Sequence, residues 1–365
     1  MRIVVLMADL FDCVGGIQTF NRALVHSLDD ICGKNKWMVE VLVLLDGGRD
    51  SRLHVYCPSG FIHYHAYSGN RLRFIIDVLR MGYGADYIII GHASFLALAL
   101  ILHAKSKILV AHGIDAWARF DLAREWGARR LDLILSVSDF TASRLRQANS
   151  SLPAPIRLFP CTLDPFYGLN MGTVIPRAEL GLPDGCMILC VSRLNSQERY
   201  KNIDLLIQAV AQLRNKRPNA FLVVVGDGDD RRRLQREAEH FNAQDIIYFM
   251  GRANEKTLFD YYRTCDIFAL PSTGEGFGIV YLEAMWHSKP CIGAAAGGVP
   301  EVVENDVTGC IAVQDHLESL ISAIDKLVGD EDLRARMGQA GRNRLEHLYS
   351  YVGFVKRLEN ILVEI

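Results

Sequence analysis

The sequence has no C-x-x-C pair, no long unbroken apolar run and no surplus of charge of one sign. Its nine cysteines run singly from Cys13 to Cys310, an odd number without disulfide-framework or zinc-ligand spacing, so reduced thiols in a cytoplasm are expected. The oiliest stretch, Ile88 to Leu102, is interrupted by Gly91, His92 and Ser94 and falls short of the roughly 20 apolar residues that a membrane span needs. A buried strand followed by a helix is expected there instead. Only six apolar residues separate Arg2 from Asp9, too few for the core of a secretory leader, and they read as a first strand. With 40 Lys and Arg against 42 Asp and Glu the formal charge is −2, which argues against wholesale nucleic-acid binding. Half the residues are apolar and 22% charged, the balance of a globular protein and not of a disordered chain.

At 365 residues the chain exceeds what one core usually organises, and two α/β domains are expected. Ile3 to Met7, Val39 to Leu45, Tyr87 to Ile90, Ile108 to Ala111 and Leu133 to Val137 are apolar almost throughout, as strands covered on both faces should be. Amphipathic segments such as Thr19 to Leu28 and Asp139 to Gln147 lie between them and suit the helical crossovers of a parallel sheet. The alternation restarts with strands at Met187 to Ser192, Ala220 to Gly226, Ile246 to Met250, Ile267 to Leu270 and Cys291 to Ala294, and helices near 203–214, 230–241 and 279–287. Phe159 to Gly185 is rich in proline and glycine without either periodicity and reads as a linker, giving domains of 1–165 and 166–348. The first carries 18 Lys and Arg against 15 Asp and Glu, and the remainder 22 against 27. Arg119 to Arg130 holds four arginines but also Asp121 and Glu125, so a solvated helix is favoured over an anionic-lipid patch, with weak peripheral membrane contact through this domain as the lesser alternative.

The strongest local signal is PSTGEGFGIVYLEAMW, in which Gly274, Gly276 and Gly278 surround Glu275 after a strand and Glu283 follows on the next helix. Glycines open backbone N–H groups to a ligand, and a helix starting near Ile279 and Val280 directs its positive dipole end at an anion. Carboxylates do not bind phosphate, so Glu275 and Glu283 suit hydroxyls on either side of one, a sugar at one end and a ribose at the other. A nucleotide sugar fits that pattern. Arg193, just past one strand, and Lys201, just ahead of the next helix, place two cations at a strand's carboxyl end, where open parallel sheets bind ligands.

Other signals carry less. Gly226 and Gly228 end a strand in VVVGDGDD, but positions 229–233 read DDRRR and lack the dinucleotide turn, and Asp227 and Asp229 read as helix-capping residues in preference to metal ligands. Gly15 and Gly16 open a helix after the first strand, and His112 stands at another strand's carboxyl end. His63 and His65 share a strand face without a third ligand, so no metal site is expected.

Taken in order, VSRL, the lysine of RYKNID, VVGDG, YFMGRAN, CDIFALPSTGEGFGIVYLEAM and GGVPEVVENDVTG, with GGIQTF and AHG earlier, resemble glycosyltransferase family 4, retaining enzymes of the GT-B fold. The resemblance covers nearly all of residues 186–313 and more loosely the first half. It implies two Rossmann-like domains facing a cleft, the second binding a nucleoside-diphosphate sugar, UDP or GDP ahead of ADP, and the first a glycan or lipid-linked acceptor. It further implies that Arg193 and Lys201 hold the diphosphate, that Glu283 binds the ribose, and that Glu275 with the amides of Gly276, Phe277 and Gly278 grips the sugar. Arg252 would line the base pocket, Gly16 and His112 would approach from the first domain, and residues 349–365 would form a helix crossing back to that domain. No metal or other cofactor is implied, nor a nucleic-acid partner. The setting implied is cytoplasmic, extending to the inner membrane face, in surface polysaccharide or glycoconjugate assembly. Two positions depart from the family pattern: Asn202 stands where a glycine usually follows the lysine, and Ser288 precedes Lys289 and Pro290 where the family has A-x-x-G-x-P. A catalytically silent binding subunit and a nucleotide-sugar epimerase of the same fold are the alternatives.

Overall fold

The computed structural model describes residues 1–48, 50–169, 171–173 and 175–364. Asn170 and Val174 of the expected linker and Ile365 of the expected last helix lie outside the described residues. The chain divides into two compact units: Met1–Tyr167 joined by the stretch from Tyr349 onward, and Gly168–Leu348.

In the first unit, β1 (Arg2–Met7), β2 (Met38–Val43), β3 (Ile62–Ala66), β4 (Ala85–Ile90), β5 (Ala104–Ala111), β6 (Leu133–Ser136) and β7 (Ile156–Leu158) form one sheet in the order β3-β2-β1-β4-β5-β6-β7. All its pairings are parallel. Ile3 to Met7 are fully buried because cover lies on both faces of the sheet, which is why the run shows no polar alternation. Over one face Val4, Leu6, Ile88 and Ile90 pack with Phe74, Val78, Phe95, Leu96 and Ala128 from the connections. Elsewhere the helix Gly16–Asn35, longer than the expected Thr19 to Leu28, meets the final helix Tyr351–Glu364, where the Phe354 ring lies 5.5 Å from Phe20 and 4.5 Å from Phe159. The Ile88 to Leu102 stretch is a strand followed by a 3₁₀ segment, Ala93–Leu100, and not by an α-helix. Alanine and leucine there pack tightly against the helix Leu122–Ala128, where a Cβ on Gly127 would strike the Leu96 carbonyl. The described residues include no helix long and apolar enough to cross a membrane.

The second unit repeats the design with β8 (Cys186–Val191), β9 (Ala220–Val225), β10 (Ile247–Gly251), β11 (Ile267–Ala269), β12 (Cys291–Ala294) and β13 (Gly309–Ala312), ordered β10-β9-β8-β11-β12-β13 and parallel at every pairing. In each sheet the order reverses direction once, between β1 and β4 and between β8 and β11. Successive crossovers leave those points on opposite faces, so a crevice opens beyond the strands' carboxyl ends. The two richest motifs are the loops that follow β8 and β11.

Candidate functional site

The loop after β8 leaves the sheet at Ser192 and turns through Arg193 into a 3₁₀ segment, Ser196–Lys201. This turn lies close against the end of β9: a Cβ at Gly226 would sit 1.8 Å from the Ser192 carbonyl oxygen, and one at Gly228 2.1 Å from that of Leu194. Gly226 and Gly228 therefore let the backbones approach, and both have positive φ. The expected capping role of Asp227 and Asp229 is corrected. The helix Arg231–His240 has no side-chain cap, and Asp229 accepts from the Ser196 amide at 2.8 Å and hydroxyl at 2.6 Å, fastening the turn beside Arg193.

Within that turn the Arg193 guanidinium contacts Glu198 Oε1 at 2.8 Å, and Lys201 Nζ lies 3.3 Å from Glu198 Oε2 and 3.9 Å from Glu275 Oε1. Glu198 is therefore a bridging carboxylate that sequence reasoning missed. A glutamate three residues before a lysine reads as a surface pair, yet here both side chains are only 14% exposed. Arg193 extends to solvent with 66% of its side chain exposed. Glu198 Oε2 and Glu275 Oε1 accept no hydrogen bond from the described residues although both are buried. Buried acceptors of this kind commonly await a donor from a ligand or water. Arg193, Glu198, Lys201, Arg199, Asp230 and Arg233 line a depression beside the turn.

The loop after β11 carries the remaining motif. Thr273 donates to the Tyr200 carbonyl from its amide at 2.8 Å and its hydroxyl at 3.2 Å, joining the two loops, and the Tyr200 ring fills the space a Cβ on Gly274 would need. Burial, followed by the charges of Glu198 and Glu275, pushes the Tyr200 phenol well above its ordinary range, so it stays neutral. Gly297 and Gly298 of the GGVP stretch lie against the backbone of Glu275 and Gly276, and the Gly298 amide donates to the Glu275 carbonyl at 2.8 Å. Gly278, at φ +95°, starts the helix Ile279–Trp286, whose first N–H groups, including those of Ile279 and Val280, have no intrahelical acceptor. Glu283, half-buried on this helix, accepts from the Tyr262 hydroxyl at 2.6 Å.

The structure thus joins Arg193 to Lys201 through Glu198 and Lys201 to Glu275 directly, places Gly276 to Val280 on the adjoining loop and helix start, and holds Glu283 through Tyr262. Arg252 follows β10 and is exposed. Gly15, Gly16 and His112 belong to the first unit. Gly15 immediately precedes the helix Gly16–Asn35, and its carbonyl accepts from the Thr19 amide at 3.0 Å. His112 follows β5, lies edge-on to Phe20, and donates through Nε2 to the Gly91 carbonyl at 3.0 Å, which leaves Nδ1 as an acceptor; burial lowers its pKa and keeps it neutral. Both departures from the family pattern are accommodated. Asn202 takes the left-handed conformation at φ +53° and donates to the Asp315 carboxylate at 2.8 Å, and Ser288 is also left-handed at φ +53°. His63 and His65 share Glu40, at 3.1 Å and 2.7 Å, and the described residues include no cluster able to hold a metal ion.

Residues 177–344 match the family described as Glycosyl transferases group 1. A GDP-mannose-dependent alpha-(1-6)-phosphatidylinositol monomannoside mannosyltransferase of Mycolicibacterium smegmatis is 31% identical over 270 residues, covering 69% of this chain and 70% of that protein. A GDP-mannose-dependent monoacylated alpha-(1-6)-phosphatidylinositol monomannoside mannosyltransferase of Corynebacterium glutamicum is also 31% identical, over 280 residues and 70% of each chain. Among solved structures, sucrose-phosphate synthase of Thermosynechococcus elongatus superposes with a TM-score of 0.78 at 20% identity, over 100% of this chain and 99% of that one. Anabaena HepE in complex with UDP-glucose does so with 0.78 at 19%, over 100% of both. At those identities the likeness establishes the GT-B fold, and the two mannosyltransferases extend it to sequence. By that sequence likeness and that fold, the chain belongs to the group 1 glycosyl transferases.

Proposed function

We propose that this glycosyltransferase retains anomeric configuration, carrying a sugar from a nucleoside diphosphate to a hydroxyl of a glycan or lipid-linked acceptor. The observation that carries this reading is the Arg193–Glu198–Lys201–Glu275 cluster, with its two cations, at the switch point of the second sheet, and a glycine loop and a helix start beside it. GDP-mannose is the donor we favour, because the relatives of higher identity are named for it, with a UDP-hexose second. As the bond from the anomeric carbon to the β-phosphate oxygen breaks, charge grows on the leaving phosphate, and Arg193, Lys201 and the loop amides stabilise it more than they stabilise the ground state. Fixed cations supply the compensating charge, so the reaction needs no metal ion. The acceptor oxygen forms its bond on the face the phosphate leaves, and its proton passes to the departing phosphate oxygen. Glu275 holds a hydroxyl of the transferred sugar and Glu283 the ribose, while His112 acts near the reacting carbon. Cysteines spaced without a disulfide framework support a reducing compartment, and assembly of a surface glycoconjugate is the setting that the relatives' names favour.

The test is transfer from GDP-mannose and from UDP-glucose to a membrane lipid extract, with EDTA present, and product anomers read by NMR. Arg193→Ala, Lys201→Met and Glu275→Gln should each lower kcat/KM by about a hundredfold or more while the protein stays folded, as expected for lost charge stabilisation. His112→Ala should lower kcat with little change in donor affinity. Near wild-type turnover in all of them would overturn the site assignment. An isomerised donor without acceptor would identify an epimerase, and no donor consumption at all a silent binding subunit.

A further inference from the structure

We propose that the helix Arg71–Gly82 is a docking surface for an anionic lipid bilayer. The helix carries two apolar faces. Phe74 and Val78 are buried in the core, whereas Leu72, Ile75, Ile76 and Leu79 face solvent, continued by Tyr83; Leu72 is 71%, Ile76 55% and Tyr83 74% exposed. A soluble helix normally turns its polar side outward. The helix Gly16–Asn35 of the same unit does so, and none of its large apolar side chains is exposed. At about 100° per residue the exposed apolar side chains fall within one arc, bordered on one edge by Arg73 and Arg80 and on the other by Arg71. All three arginines are exposed and form no ion pair with a described residue. The one acidic residue of the helix, Asp77, points to the inner side, where it accepts from the Tyr67 hydroxyl at 3.1 Å.

The same core carries further exposed apolar side chains. The 3₁₀ segment Ala93–Leu100 and the helix Leu122–Ala128 pack on the same face of the sheet as Phe74, and they expose Leu100, Leu122 and Trp126, with Ile101 just beyond. Tryptophan, tyrosine and arginine around an aliphatic stripe are the composition of helices lying in a membrane interface. The Arg119 to Arg130 segment pairs two of its four arginines, as Arg124–Asp121 and Arg129–Glu125, and leaves exposed Arg119 and Arg130 to add to the positive charge of Arg71, Arg73 and Arg80. That charge selects the occupant. A second copy docking through the same face would bring its own three arginines against these, whereas an anionic headgroup layer complements them and lets their stems lie along the acyl boundary.

The inference does not depend on the donor assignment. The test is co-sedimentation of the full chain with vesicles of phosphatidylcholine alone and with about one third phosphatidylglycerol, comparing wild type, L72Q/I76Q/Y83Q and R71Q/R73Q/R80Q. Wild type should partition onto the anionic vesicles at least about tenfold more strongly than onto the neutral ones, and lose most of that on raising salt from about 0.1 M to about 0.5 M. Each triple variant should lose about tenfold in partitioning while keeping the wild-type circular dichroism spectrum and unchanged turnover of a water-soluble acceptor. Binding indifferent to both triple variants, or absent from anionic vesicles, would overturn the proposal. So would a dimer in sedimentation equilibrium that the apolar variant converts to monomer, since a second copy would then own the surface.

Discussion

At the scale of single residues, legibility followed chemistry that leaves a fixed trace. Arg193, Lys201 and Glu275 were readable because glycine, strand end and charge stand at defined offsets. Glu198 was not, since its importance lies in touching two cations at once, which spacing alone does not encode. Asp229 was misread because aspartate before a helix has a ready local use, and the hydrogen bonds to Ser196 that displaced it cross from another loop. His287 shows a residue whose environment, not its motif, sets its behaviour. It stacks parallel to Tyr262 and edge-on to Phe259, and burial, aided by Lys289, Arg263 and Arg342, lowers its pKa to about 3. Its native pKa lies below the unfolded value of about 6.5, so between them the unfolded chain binds the extra proton. Stability of the second unit is therefore intact above about pH 6.5 and is lost as pH falls toward about 3. At pH 5 the loss should be about 2 kcal/mol, read from hydrogen exchange of β11 and β12 against pH, and His287→Gln should flatten that dependence.

At the scale of elements, the apolar runs of β1, β4, β5, β8 and β9 announced themselves because double-sided burial removes polar alternation. The three-residue β7 and the four-residue β13 are too short for any period to show. The helix Arg71–Gly82 hides for the opposite reason: with apolar residues on two faces its pattern points to no single side. The helix Ile279–Trp286 ends in a Schellman arrangement, with the Lys289 amide donating to the Ala284 carbonyl and the Ser288 amide to that of Met285, both at 3.0 Å. That arrangement places Ser288 where glycine is favoured. Ser288→Gly should therefore stabilise the second unit by about 0.5–1 kcal/mol without altering turnover, measured by urea unfolding. A loss of stability would mean that the serine side chain contributes more than its backbone costs. Asn202, also left-handed, differs because its side chain holds Asp315 and the Pro271 carbonyl.

At the scale of the whole molecule, two sheets of like topology were legible in the restart of the strand and helix alternation. The discontinuity of the first unit was only implied by family resemblance, since the sequence near Tyr351 says amphipathic helix and not where it docks. Docking is extensive: Phe354, Leu358, Ile361 and Leu362 are buried, the Tyr87 hydroxyl donates to the Leu362 carbonyl at 3.0 Å, and the Tyr351 hydroxyl reaches Asp30 at 2.9 Å. Phe354→Ala should cost about 3–5 kcal/mol, the range for a large aromatic removed from a packed core, and the loss should appear in amide protection of β1 before that of β8. Equal loss in both sheets would mean that the helix supports the two units alike.

That returning helix also fixes an order of events during synthesis. Gly168–Leu348 is a continuous length of chain and can close on itself as soon as it clears the ribosome, while the amino-terminal half, although made first, waits with Phe20 and Phe159 unsealed until the closing residues are delivered. Of the two units, the one begun earlier is thus the later to close, and until then it leaves those rings open to a chaperone.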